Sequence, residues 1–149
     1  MIKQAISSLP LLALAIAGVA QAEPNEYEEV VQAQIFAMAV NVAGIDPDAD
    51  PIDYFDGTIG AQDAAYLDLP VYPNRTYALL AACDQDCSDI DVYVDDSDGT
   101  EVASDNELDD VPVVIFSTER NTSYQARVRM YDCSTSICYY GAVLFEITN

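Results

Sequence analysis

Asp89-Ile90-Asp91-Val92-Tyr93-Val94-Asp95 is the stretch that decides how this chain folds. Alternate side chains of an extended strand point to opposite faces, so Ile90, Val92 and Val94 line one side and Asp89, Asp91, Tyr93 and Asp95 the other. The branched side is core and the other is an outer face. Ser97-Asp98-Gly99 follows, a turn whose residues accept the left-handed backbone of a tight hairpin, so an antiparallel neighbour is expected over Thr100 to Ser104.

The same two-residue period extends in both directions through Ala64 to Leu69, Thr76 to Cys83, Val111 to Ser117, Ser123 to Tyr131 and Tyr139 to Ile147. Turn residues such as Pro73-Asn74 separate these runs, and seven short strands of this kind predict a mainly β, antiparallel sandwich. In Ser123 to Tyr131, Tyr124, Ala126, Val128 and Met130 share the inner face, while Gln125, Arg127 and Arg129 form a cationic outer one. If this strand neighbours Asp89 to Asp95, Arg127 and Arg129 are placed to neutralise Asp89 and Asp91 as cross-strand ion pairs.

Upstream the period changes. Tyr27, Val30, Val31, Ile35, Met38 and Val42 recur at three- and four-residue steps, which predicts one amphipathic helix over Glu23 to Ala43, capped by Asn25 with Glu28 and stopped at Gly44. From Ile45 to Gln62 the prolines, glycines and aspartates predict an acidic connector without regular structure, ahead of a β domain over residues 63–149. At the start, Lys3, the apolar run Leu9 to Ala20 and the site Ala20-Gln21-Ala22 read as a cleavable export signal over residues 1–22. The apolar run is shorter than the roughly 20 residues that span a bilayer, so no membrane insertion is expected, and the destination is the periplasm or the medium.

The chain of 149 residues has no histidine and a formal charge of −21. Without Lys3, the arginines Arg75, Arg120, Arg127 and Arg129 stand against 26 acidic residues, which excludes nucleic acid as a partner because too few basic groups remain to displace its counterions. Four cysteines, Cys83, Cys87, Cys133 and Cys138, in an exported chain favour two disulfides over a zinc site, whose usual spacing and histidines are missing. Three connectivities are open. The local pairs Cys83 with Cys87 and Cys133 with Cys138 are favoured, each stapling a loop between strands, whereas crossed pairs would tie the two loops together.

The run Tyr77 to Val94, with Cys83-Asp84-Gln85-Asp86-Cys87-Ser88-Asp89-Ile90-Asp91 at its centre, resembles the bacterial pre-peptidase C-terminal domain. Gly99 with Val102-Ala103, Asp109 to Val114, Tyr124 to Cys133 and Cys138-Tyr139-Tyr140-Gly141 extend that resemblance over roughly residues 60–149. It implies a jelly-roll-like β-sandwich of seven to eight strands and a non-catalytic accessory module. Some relatives of that kind bind calcium, or insoluble protein and polysaccharide. No peptidase domain accompanies it in this chain.

The absence of histidine removes Ser-His and Cys-His nucleophile pairs. Calcium is the one cofactor the residues suggest, since hard cations take clustered carboxylates, and Asp84, Asp86, Asp89 and Asp91 flank the Cys83-Cys87 loop. That cluster does not fit an EF-hand, because Asp89 stands where glycine is required. Asp46, Asp48, Asp50, Asp53 and Asp56 form a second acidic stretch, interrupted by Pro47 and Pro51 and read as solvated loop. Tyr93, outward beside Asp89 and Asp91, and Tyr131 are the candidate ligand surface, a phenol combining an apolar body with a polar tip. The leading expectation is an exported, non-catalytic module that binds an unidentified protein or polysaccharide, with calcium ordering the Cys83 to Asp91 loop. A structural envelope or matrix protein is the alternative, and a carboxylate-based hydrolase the third.

Overall fold

A computed structural model describes residues 26–119 and 122–148. One helix, α1 (Glu26–Asn41), precedes eight strands: β1 (Asp53–Ile59), β2 (Ala64–Leu69), β3 (Thr76–Cys83), β4 (Cys87–Asp96), β5 (Glu101–Asp105), β6 (Val113–Ser117), β7 (Tyr124–Cys133) and β8 (Cys138–Glu146). They form two four-stranded antiparallel sheets, ordered β1-β8-β3-β6 and β2-β7-β4-β5. The chain crosses between sheets at every connection except the β4–β5 hairpin, which is the winding of a jelly roll. The mainly β sandwich with a leading helix is therefore as the sequence predicts. Gly99 sits at φ 75° in the hairpin turn, and its amide bonds the Asp96 carbonyl at 3.0 Å.

Ile90, Val92 and Val94 do face the core, against Ala126, Val128 and Met130 of β7 and Leu79 and Ala81 of β3. Strand β3 is buried on both faces. Its other side, Ala78, Leu80 and Ala82, joins Val143 and Phe145 of β8 beneath Val31, Ile35 and Ala39 of α1. The helix thus covers the outer side of the β1-β8-β3-β6 sheet, and each fully buried Val or Ile on it contributes about 1.5–3 kcal/mol. Close approach needs a bare backbone: a Cβ at Gly141 would stand 2.7 Å from Val31 Cγ1 and 3.0 Å from the Tyr54 hydroxyl. At the helix end Gly44, at φ 66°, lets the Ile45 amide reach back to the Ala39 carbonyl at 2.9 Å. Tyr27 and Val42, expected in the apolar stripe, are exposed instead, because the sheet is met only by the turns between them.

The connector expected over Ile45 to Gln62 is only partly irregular, since it contains β1. This strand pairs with β8 alone, so it carries a single ladder and tolerates Asp53, Asp56 and Gly57 where a central strand would not. Pro47 and Pro51 both precede it. The sandwich accordingly begins at Asp53 rather than at residue 63, and α1 packs onto it as part of the same unit. The expected export signal, Met1 to Ala22, and the cap residue Asn25 lie outside the described residues. No helix among the described residues is long and apolar enough to cross a membrane.

Candidate functional site

The face left open is the outer side of β2-β7-β4-β5. Register puts Tyr66 of β2 and Tyr93 of β4 on either side of Arg127, and Ala64 and Asp91 on either side of Arg129. The Arg127 guanidinium lies over the Tyr93 ring at 4.2 Å and its Nε stands 3.9 Å from Asp95 Oδ2. Arg129 lies over the Tyr131 ring at 5.4 Å. Tyr66 is 64% exposed and Tyr131 46%, so two phenols and two guanidiniums share one surface of a strongly acidic protein. Tyr93 and Tyr131 are both on the predicted face, separated by Arg129 and Asp91. Tyr66 belongs to the same surface and was not assigned to it from the sequence, although its alternation with buried Leu67 and Leu69 carries the signal.

The strands β4 and β7 are neighbours as expected, but the ion pairs differ. Among the described residues Arg127 pairs with Asp95, while Asp91 accepts a hydrogen bond from the Tyr93 hydroxyl at 2.9 Å. Burial first, then that hydrogen bond to a carboxylate, raises the Tyr93 phenol above its ordinary pKa. Asp89 stands opposite Asp132, not an arginine, because β4 is irregular on both sides of it. Both Asp89 and Asp91 lie on the outer side of the strand, yet both are buried. The β5–β6 connection folds beside them, its Asp109 carbonyl accepting the Ile90 amide at 3.0 Å.

The remaining candidates gather where β3 turns into β4 and β7 into β8. The disulfides are Cys83–Cys87 and Cys133–Cys138, the favoured local pairing. Each joins one sheet to the other, and Cys87 stands opposite Cys133 in the ladder, so the two bridges share one end of the core. Asp84 is buried and braces this end: Oδ1 accepts the Asp86 amide at 3.2 Å and Oδ2 the Tyr139 amide at 2.8 Å. The Asp86 carbonyl accepts the Ser134 amide at 2.8 Å and the Ser134 hydroxyl at 2.9 Å. Asp84, Asp86, Asp89 and Asp91 therefore have separate tasks, and among the described residues no three acidic side chains converge as one metal ion requires. In the second acidic stretch, Asp46, Asp48 and Asp50 are exposed, and Asp56 accepts the Tyr139 hydroxyl at 2.9 Å.

Asp89 is the electrostatic anomaly of the site. It is 6% exposed and its Oδ1 has no hydrogen-bond partner among the described residues. Burial first, then the carboxylates of Asp91, Asp109 and Asp132, raise its pKa above the ordinary value. No protein-family model matches this chain, and no curated protein matches it in sequence.

Proposed function

We propose that this is an exported, non-catalytic jelly-roll module that binds its ligand across the outer face of β2-β7-β4-β5. The observation that carries this reading is the pairing of tyrosine with arginine on that face. A surface selected only for solubility would extend the acidity found elsewhere, whereas here Arg127 and Arg129 lie over the rings of Tyr93 and Tyr131, with Tyr66 exposed beside them. Such a face offers apolar rings and oriented donors together, the means by which a sheet grips a polysaccharide or a protein surface. The two local disulfides and the expected export signal support an oxidising compartment. The jelly-roll winding is also what the resemblance to pre-peptidase C-terminal domains implies, and it supports an accessory rather than catalytic role. Calcium is left out of this reading, because Asp84 already engages two backbone amides and the neighbouring carboxylates do not converge.

Retention of the oxidised protein on insoluble chitin, cellulose and gelatin tests the reading, beside Tyr66→Ala and Arg127→Ala. Retention on at least one support, weakened about tenfold by either substitution at an unchanged unfolding temperature, is the expected result. Equal retention of all three proteins, or none by any of them, would overturn it.

A further inference from the structure

We infer that the recess beside Asp89, at the disulfide end of the open face, is a subsite for a primary alkylammonium group, as carried by a lysine side chain of a protein partner. This rests on the outer face being the ligand surface, since Tyr131 belongs to both. The recess, of about 410 Å³, is lined by Gln62, Ser88, Asp89, Leu108, Tyr131 and Asp132.

Its polar wall is built in advance. The Ser88 hydroxyl donates to Asp132 Oδ2 at 2.7 Å, and Gln62 Nε2 donates to the Tyr131 carbonyl at 2.5 Å, so both neighbours of the recess are held by their own hydrogen bonds. Asp89 lines the recess with them, more than nine-tenths buried, and its Oδ1 has no hydrogen-bond partner among the described residues. The groups acting on it are all acidic: Asp91 from its own strand, Asp109 from the β5–β6 connection and Asp132 from β7. The nearest base along β7, Arg129, is turned onto the Tyr131 ring and donates to Gln62 Oε1 at 3.3 Å. A buried carboxylate without a partner is costly, and a cation entering the recess removes that cost.

The apolar wall selects the kind of cation. Leu108 is 87% exposed at the tip of the acidic connection and faces the recess with Tyr131. Calcium requires six to eight oxygen ligands, which a wall of Leu108 and the Tyr131 ring with the two carboxylates Asp89 and Asp132 does not provide. An ammonium on a methylene stem uses both walls, its head on Asp89 and Asp132 and its stem along Leu108 and the phenol.

Amide chemical shifts of the oxidised protein, titrated with butylammonium chloride and with N-acetyl-lysine amide at matched sodium chloride, test this. Saturable shifts centred on Ser88, Asp89, Leu108 and Tyr131 are expected, with Kd in the millimolar range, about that of a single small contact. Asp89→Asn should abolish them while raising the unfolding temperature, so loss of binding is not loss of fold. Shifts no different from those of sodium chloride, shifts produced by calcium at lower concentration, or tighter binding of glucosamine, which has no methylene stem, would each overturn the assignment. If butylammonium fails while Tyr66-dependent retention persists, the subsite falls and the binding face stands; if both fail, both fall.

Discussion

The two ends of this sandwich face the same task, stopping eight strands without orphaning their backbone, and use opposite chemistry. At the end carrying the β2–β3 and β6–β7 connections, neutral hydroxyls do it. Buried Tyr77 accepts the Tyr72 amide at 2.8 Å, Tyr124 accepts the Glu119 amide at 2.8 Å, and Thr118 Oγ1 donates to the Tyr72 carbonyl at 2.6 Å while accepting the Arg75 amide at 3.1 Å. At the other end two disulfides and the buried carboxylates Asp84 and Asp89 take their place. At the first end buried hydroxyls meet these groups, with the Arg75–Glu146 ion pair and the Asp96 carboxylate at the rim, whereas the second end keeps a buried carboxylate oxygen of Asp89 unsatisfied. Unsatisfied buried groups in native proteins call for an explanation, and a ligand at this end supplies one.

That contrast is open to breaking, and the largest effect is expected from the bridges. Reduction of both disulfides should cost about 2 kcal/mol per bridge, the scale for such short loops, seen as a lower denaturation midpoint. Amide exchange should accelerate first at Asp84 to Ser88 and Ser134 to Ile137, and hardly at Tyr72 to Thr76. Uniform acceleration would mean that the ends are not independent. Next comes Thr118→Val, which takes the hydroxyl from the Tyr72 carbonyl and the Arg75 amide at the first end and should cost about 2 kcal/mol. Asp84→Asn retains one amide acceptor and loses the other, so its expected cost is smaller, about 1 kcal/mol in urea unfolding.

How far these features were legible in the sequence depends on whether a single strand or its neighbours decide them. Alternation in Asp89 to Asp95 was enough to give the inner face, and the spacing of the cysteines gave the favoured pairs. Strand β1 was obscured because its aspartates and glycine suit an edge, a position fixed only once β8 lies beside it. The helix-bearing sheet was hinted at by Tyr77 to Cys83, an unbroken apolar run that marks a strand covered on both sides. Burial of Asp89 was out of reach. Its place on the outer side follows from periodicity, but the segments that lie beside it, carrying Asp109 and Asp132, are distant in sequence.

Replacing Asp89 by Asn gives the smallest structural change and the only expected gain. Because the folded-state pKa of Asp89 is raised above its ordinary value, the native state binds the extra proton. Asp89 is therefore best tolerated below the ordinary carboxylate range, and stability is lost as pH rises through the raised pKa.

The most direct measurement is thermal unfolding of the oxidised wild type and Asp89→Asn from pH 3 to pH 8 at fixed ionic strength, about 0.15 M to hold screening constant. Unsatisfied burial of Asp89 predicts that the two midpoints converge at acid pH, and that the variant is the more stable once pH exceeds the raised pKa of Asp89. A variant less stable than wild type at neutral pH would contradict it, because Asp89 would then be a satisfied structural carboxylate.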